Sequence, residues 1–67
     1  MKILRDVKIV LDEKNGNRKT TDVTLISKEL HNGTFFSIVN GSGKEITAEH
    51  STIEEALQQL SLSYKII

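Results

Sequence analysis

The sequence predicts an α+β domain: an antiparallel β-meander of about four strands, one short helix packed on one of its faces, and a C-terminal fifth strand. Three observations carry that prediction. Apolar and polar residues alternate with period two through most of the first 50 residues, glycine-bearing turns interrupt the alternation, and residues 51–60 alone repeat their apolar positions at helical spacing.

Along residues 2–11 the odd positions read Ile3, Arg5, Val7, Ile9 and Leu11, and the even ones Lys2, Leu4, Asp6, Lys8 and Val10, the pattern of a half-buried strand. Residues 12–18 contain Asn15-Gly16-Asn17, residue types that accept the positive φ of a tight hairpin, so a turn falls there. Strand two covers residues 20–30, with Val23 and Leu25 facing one way and Thr24 and Ile26 the other. His31-Asn32-Gly33-Thr34 predicts a second hairpin turn, because Asn-Gly between extended runs is the strongest short-range hairpin signal. Strand three then spans residues 34–39 and Asn40-Gly41-Ser42-Gly43 makes a third turn. Residues 44–50, where Ile46 and Ala48 alternate with Glu45, Thr47 and Glu49, form strand four.

The helix is the most fully specified element. Ile53, Ala56, Leu57 and Leu60 lie at i, i+3, i+4 and i+7, one face of a 3.6-residue helix. Ser51 with Glu54, and Thr52 with Glu55, both fit a capping box, and the two glutamates put negative charge in the first turn, where the helix dipole favours it. A helix ending near Leu60 is too short to stand alone in water, so its apolar stripe must rest on the sheet. Leu62, Tyr64 and Ile66 then alternate as the terminal strand. The expected core is Ile3, Val7, Ile9, Leu11, Val23, Leu25, Phe36, Ile38, Ile46, Ala48, Ile53, Ala56, Leu57, Leu60 and Tyr64.

Phe35 and Phe36 are neighbours in a strand and so point to opposite faces. With Phe36 and Ile38 in the core, Phe35 and Val39 fall on the far face beside Leu4, Val10 and Ile26. A contiguous apolar patch on an uncovered face marks an interaction surface. The candidate partner-binding residues are therefore Phe35, Val39, Ile26 and Val10, and the competing reading is that a loop or the terminal strand covers them.

Sixty-seven residues make a single domain, 1–67, with a small core. No cysteine is present to supply a disulfide or a Cys-based zinc site, so self-association is the expected extra support. Charge recurs from Lys2 onward before any apolar run reaches signal-peptide or membrane-span length, which predicts a cytoplasmic protein. Formal charge is zero, an argument against a dedicated nucleic-acid binder. The charge is unevenly spread, however. Residues 1–20 hold six basic side chains against three acidic ones, a balance of +3, and the remainder carries −3. Such asymmetry can steer a partner or pair two copies head to tail. The alternative reading is thus a nucleic-acid binder that uses Lys8, Lys14, Arg18 and Lys19 on the first hairpin.

Sites for chemistry do not emerge. Gly41-Ser42-Gly43-Lys44 ends like a phosphate-binding loop, but the motif needs a glycine where Ile38 stands and a Ser or Thr where Glu45 stands, so it is a hairpin turn. His31 lies at a turn and His50 just before a helix cap, with no spacing that requires a metal. Asp12-Glu13 falls in a turn and Glu54-Glu55 caps a helix, which accounts for both carboxylate pairs without acid–base chemistry. No catalytic residue, cofactor, metal or small-molecule substrate is expected.

The run Gly43-Lys44-Glu45-Ile46-Thr47-Ala48 leading to Thr52-Ile53-Glu54-Glu55-Ala56-Leu57 resembles HicB-like antitoxin domains, in which a strand runs into a helix of this kind and then a final strand. The likeness covers residues 43–60 and implies a small bacterial or phage protein that works by binding another protein, without enzymatic activity. The layout of residues 33–60 is more loosely similar to the arm-binding domains of tyrosine-type integrases, which implies strands laid in a DNA groove. The expected function is a non-enzymatic protein-binding module, acting through the exposed sheet face or a free strand edge on a protein partner or on its own copy as a homodimer.

Overall fold

The computed structural model describes residues 1–12 and 18–67; residues 13–17, which hold most of the first predicted turn and Lys14, lie outside the described residues. Strand β1, Lys2–Asp12, pairs antiparallel with β2, Arg18–Leu30, and β2 pairs antiparallel with β3, Gly33–Val39. Helix α1, Ile53–Ser63, follows, and the short β4, Lys65–Ile66, then pairs antiparallel with the other side of β1. The sheet order is β3-β2-β1-β4, an α+β arrangement of the predicted class.

The helix begins as its sequence requires. Thr52 is the N-cap; its hydroxyl accepts from the Glu55 backbone N–H at 3.2 Å and donates to the Glu55 carboxylate at 3.1 Å. Of the two candidate boxes, the Thr52–Glu55 pair is the one that caps the helix, with the Glu55 carboxylate returning to the Thr52 hydroxyl in place of its backbone N–H. The helix runs past Leu60 to Ser63, where the Tyr64 N–H closes the last turn on the Leu60 carbonyl. Leu62, predicted as the start of the terminal strand, is therefore helical and points into solvent. In that last stretch the Ser61 hydroxyl donates to the Gln58 carbonyl at 2.7 Å.

Ala56 and Leu60 are buried against Val7, Ile9, Val23, Leu25 and Ile38, and Ile53, Leu57, Ile46, Phe36, Leu11, Tyr64 and Ile66 pack around that cluster. Each fully buried aliphatic side chain here contributes about 1.5–3 kcal/mol. Two predicted core residues are absent from the cluster. Ile3 is 67% exposed, because the pairing of β1 with β2 slips between Ile3, opposite Ile26, and Arg5, opposite Leu25. The extra residue, Leu4, is a β-bulge, and it turns Ile3 to the face away from the helix. Ala48 is exposed for a related reason on the other side of the sheet, described below.

The second hairpin forms over His31 and Asn32, with Leu30 opposite Gly33. Positive φ is confined to Gly33, at 135°, so the loop is centred one residue before the Asn-Gly pair. In the third turn the Asn40 side-chain carbonyl accepts from Ser42 N–H, Ser42 hydroxyl and Lys44 N–H, while Gly43 takes φ 85°. No helix of the described residues is long and apolar enough to cross a membrane.

Candidate interaction surface

A protein without a cleft of chemical groups can still act through its sheet, so the two edges and the face away from the helix are the surfaces to weigh. The outer edge of β3 is closed. Residues 44–50, predicted as a regular strand, run antiparallel beside it but join only through isolated bridges, Val39 with Glu45 and Phe36 with His50. Between those bridges β3 advances three residues while the outer segment advances five. The surplus is absorbed at Thr47 and Ala48. In place of a backbone carbonyl, the buried Thr47 hydroxyl accepts the Ile38 N–H at 3.0 Å and donates to the Ala48 carbonyl. Ala48 N–H turns away to the Gln59 side chain on the helix, which explains why Ala48 leaves the core.

That same Gln59 carbonyl oxygen, oriented by the Ala48 N–H, accepts from His50 Nε2 at 2.5 Å, and His50 Nδ1 lies 3.9 Å from the Glu55 carboxylate. His50 thus ties the segment to α1. His31 sits exposed in its turn, and among the described residues no three of His, Asp and Glu converge.

The face away from the helix differs from the patch read in the sequence. Residues opposite one another in the ladder share a face, which groups Ile3, Ile26 and Ser37, flanked by Lys28, Phe35, Thr24 and Val39. Ile26 is 0% and Val10 8% exposed, so neither offers surface to a partner, and Phe35 and Val39 are half-buried. On this face the Lys28 ammonium, from the residue of β2 opposite Phe35, pairs across β3 with Glu45 and, at 3.1 Å, with Glu49, both in the segment beyond β3. The Ser37 hydroxyl, on the same face, is buried without a hydrogen-bond partner.

The opposite edge of the sheet is open. β4 pairs with β1 only at Ile9 and Val10, and the Ile67 N–H donates to the Lys8 carbonyl. Among the described residues no strand lies beside Lys2 to Val7 on that side. In an antiparallel strand both backbone groups of a residue point the same way and successive residues alternate. Since the Lys8 carbonyl faces this edge and the pairing with β2 is regular from Arg5 onward, the N–H and C=O of Asp6 face it too. Met1 and Ile3, and to a lesser extent Leu4, expose apolar surface at the same end.

Of the basic residues of the first hairpin, the register places Lys8, across from Asp22, and Arg18, across from Asp12, on one face and Lys19, across from Leu11, on the other, while Lys14 lies outside the described residues. The sequence offers a free strand edge without saying which, because which strand borders which is set by the chain's crossover from α1 to β4, and no residue pattern encodes it. No family model, curated protein or solved structure matches the chain.

Proposed function

We propose that this protein is a non-enzymatic protein-binding module that accepts an extended segment of a partner, its own copy included, at the open edge of β1. The observation that carries the reading is the asymmetry of the sheet: β3 is capped by residues 44–50, whereas Lys2 to Val7 has no strand beside it among the described residues. A row of unpaired backbone donors and acceptors is a template for β-strand addition. The burial of Ile26 and Val10 favours this edge over the sheet face as the contact surface. The resemblance of residues 43–60 to HicB-like antitoxin domains supports the same class of function, a small bacterial or phage protein that acts by binding.

Asp6→Pro tests it. Proline removes the outward N–H at Asp6 and is tolerated on an edge strand, so the fold should persist by circular dichroism. With wild type as bait, proteins captured from the source cell should be lost with Asp6→Pro; if the captured chain is its own copy, sedimentation equilibrium should show a dimer that Asp6→Pro lacks. Equal capture by both baits would remove the edge from consideration.

A further inference from the structure

His50 and Glu55 stand five apart in sequence, a spacing that matches no metal motif. The backbone bonds of His50 to Phe36 are what bring its imidazole beside the first turn of α1. The ring is held in one tautomer. Gln59 Oε1 accepts from the Ala48 N–H and from the ring as well, so Nε2 is the nitrogen that carries the hydrogen. In the neutral imidazole Nδ1 then keeps its lone pair, and it lies 3.9 Å from Glu55 Oε2, too far for a hydrogen bond. The carboxylate is fixed through its other oxygen. Glu55 Oε1 accepts from the Thr52 hydroxyl at 3.1 Å and from the Ser51 hydroxyl at 3.4 Å.

The surroundings suit a cation. His50 and Glu55 line an open recess of about 260 Å³ together with Gln58, Gln59 and Leu62, and no lysine or arginine lines it. Glu55 and Gln58 are i and i+3 on α1 and so are neighbours on its surface. Among the described residues the Gln58 side-chain amide makes no hydrogen bond.

We infer that His50 Nδ1 and Glu55 Oε2 bind a divalent first-row metal ion such as zinc, with the Gln58 amide oxygen as third protein ligand and water in the remaining position. Donors that share a tetrahedral ion through bonds of about 2.0–2.1 Å stand about 3.3 Å apart, so a shift of about half an ångström in the exposed Glu55 side chain closes the pair. A ligating histidine gives its other ring N–H to an oxygen acceptor, and a ligating carboxylate is itself hydrogen-bonded. Gln59, Thr52 and Ser51 supply both arrangements here. No third His, Asp or Glu converges on the pair among the described residues, which leaves the ion open to water. The ion joins the segment of residues 44–50 to α1 and so braces the closed edge.

Isothermal titration of the full chain with zinc chloride tests the inference, with circular dichroism to check that each variant folds. A single zinc should bind per chain, and His31→Gln should leave that binding unchanged. His50→Gln and Glu55→Gln should each weaken it by at least about tenfold. Nitrogen NMR of the wild-type imidazoles reads the same ligand without a substitution: zinc should move the His50 Nδ1 resonance and leave both His31 nitrogens in place. Absence of binding, binding that survives His50→Gln and Glu55→Gln, or a zinc-dependent shift at His31 in place of His50 overturns the site. Binding undiminished by Gln58→Ala, at an exposed helix position, overturns the third ligand alone.

Discussion

The two edges of the sheet are built by opposite means. At β3 the ladder is continued by an irregular segment whose side chains stand in for backbone: Thr47 for a carbonyl, Gln59 for a strand partner, Asn40 for a turn. Lys28 then reaches across the strand to Glu45 and Glu49. At β1 none of this machinery is present between Lys2 and Val7 among the described residues, and the exposed apolar residues there are Met1, Ile3 and Leu4, beside the exposed Lys2, Arg5 and Asp6. Edge strands are a hazard unless blocked. The specific contacts are thus concentrated at the β3 edge, and among the described residues none of that kind lies beside Lys2 to Val7.

Ile38→Ala against Ile3→Ala should show the contrast most strongly. Ile38 is fully buried beside the closed edge, and its truncation should cost about 2–5 kcal/mol in urea denaturation. Ile3, equally large, sits by the open edge and is mostly solvated, so its truncation should change stability by no more than about 0.5–1 kcal/mol. Equal losses would mean that the open edge is as much a part of the core as the closed one.

A smaller effect is expected from Thr47→Val, which keeps the shape and removes the hydroxyl. The buried Ile38 N–H would lose its acceptor, at about 1–3 kcal/mol. Thr47→Ser should retain most of that stability. If the serine variant is as unstable as the valine one, the methyl group and not the hydrogen bond holds the segment, and the edge is closed by packing alone.

The contrast also separates what the residues disclose from what they do not. The helix face and the second and third turns are legible because each depends on local chemistry: Ile53, Ala56 and Leu60 on spacing, Thr52 on capping, Gly33 and Gly43 on positive φ. Ile3 and Ala48 are misread because a bulge inserts a residue without altering the composition around it, so a period-two reading carries the wrong parity past Leu4 and past Thr47. A weak signal exists at the first bulge, where apolar Leu4 is followed by Arg5 in the row that otherwise holds Val7, Ile9 and Leu11. The loss of Ile26 from the candidate surface is less legible still. Ile26 is fully buried on a face where Lys28 pairs with Glu45 and Glu49, 17 and 21 residues away in sequence, and nothing near Ile26 announces that arrangement.

The smallest effect has the least intuitive sign. Ser37 lies in β3 opposite Ile26, and its hydroxyl is buried without a partner. An unmade hydrogen bond of a buried polar group costs about 1–3 kcal/mol. Removing the hydroxyl relieves that cost and leaves a void the size of one oxygen, which at about 24 cal/mol per Å³ of cavity returns only a few tenths of a kcal/mol. Ser37→Ala should therefore stabilise the domain by roughly 0.5–1 kcal/mol, a rise in Tm of a few degrees for a domain this small. The site has no room to spare, however, since Ser37 is 0% exposed. Ser37→Val would put two methyl groups where one hydroxyl fits, so it should lower Tm and raise the exposure of Ile26 to hydrogen exchange. Thermal denaturation of both variants distinguishes the effects. Destabilisation by alanine as well would mean that the hydroxyl has a partner in solution, and that Ser37 is part of how the closed edge is held.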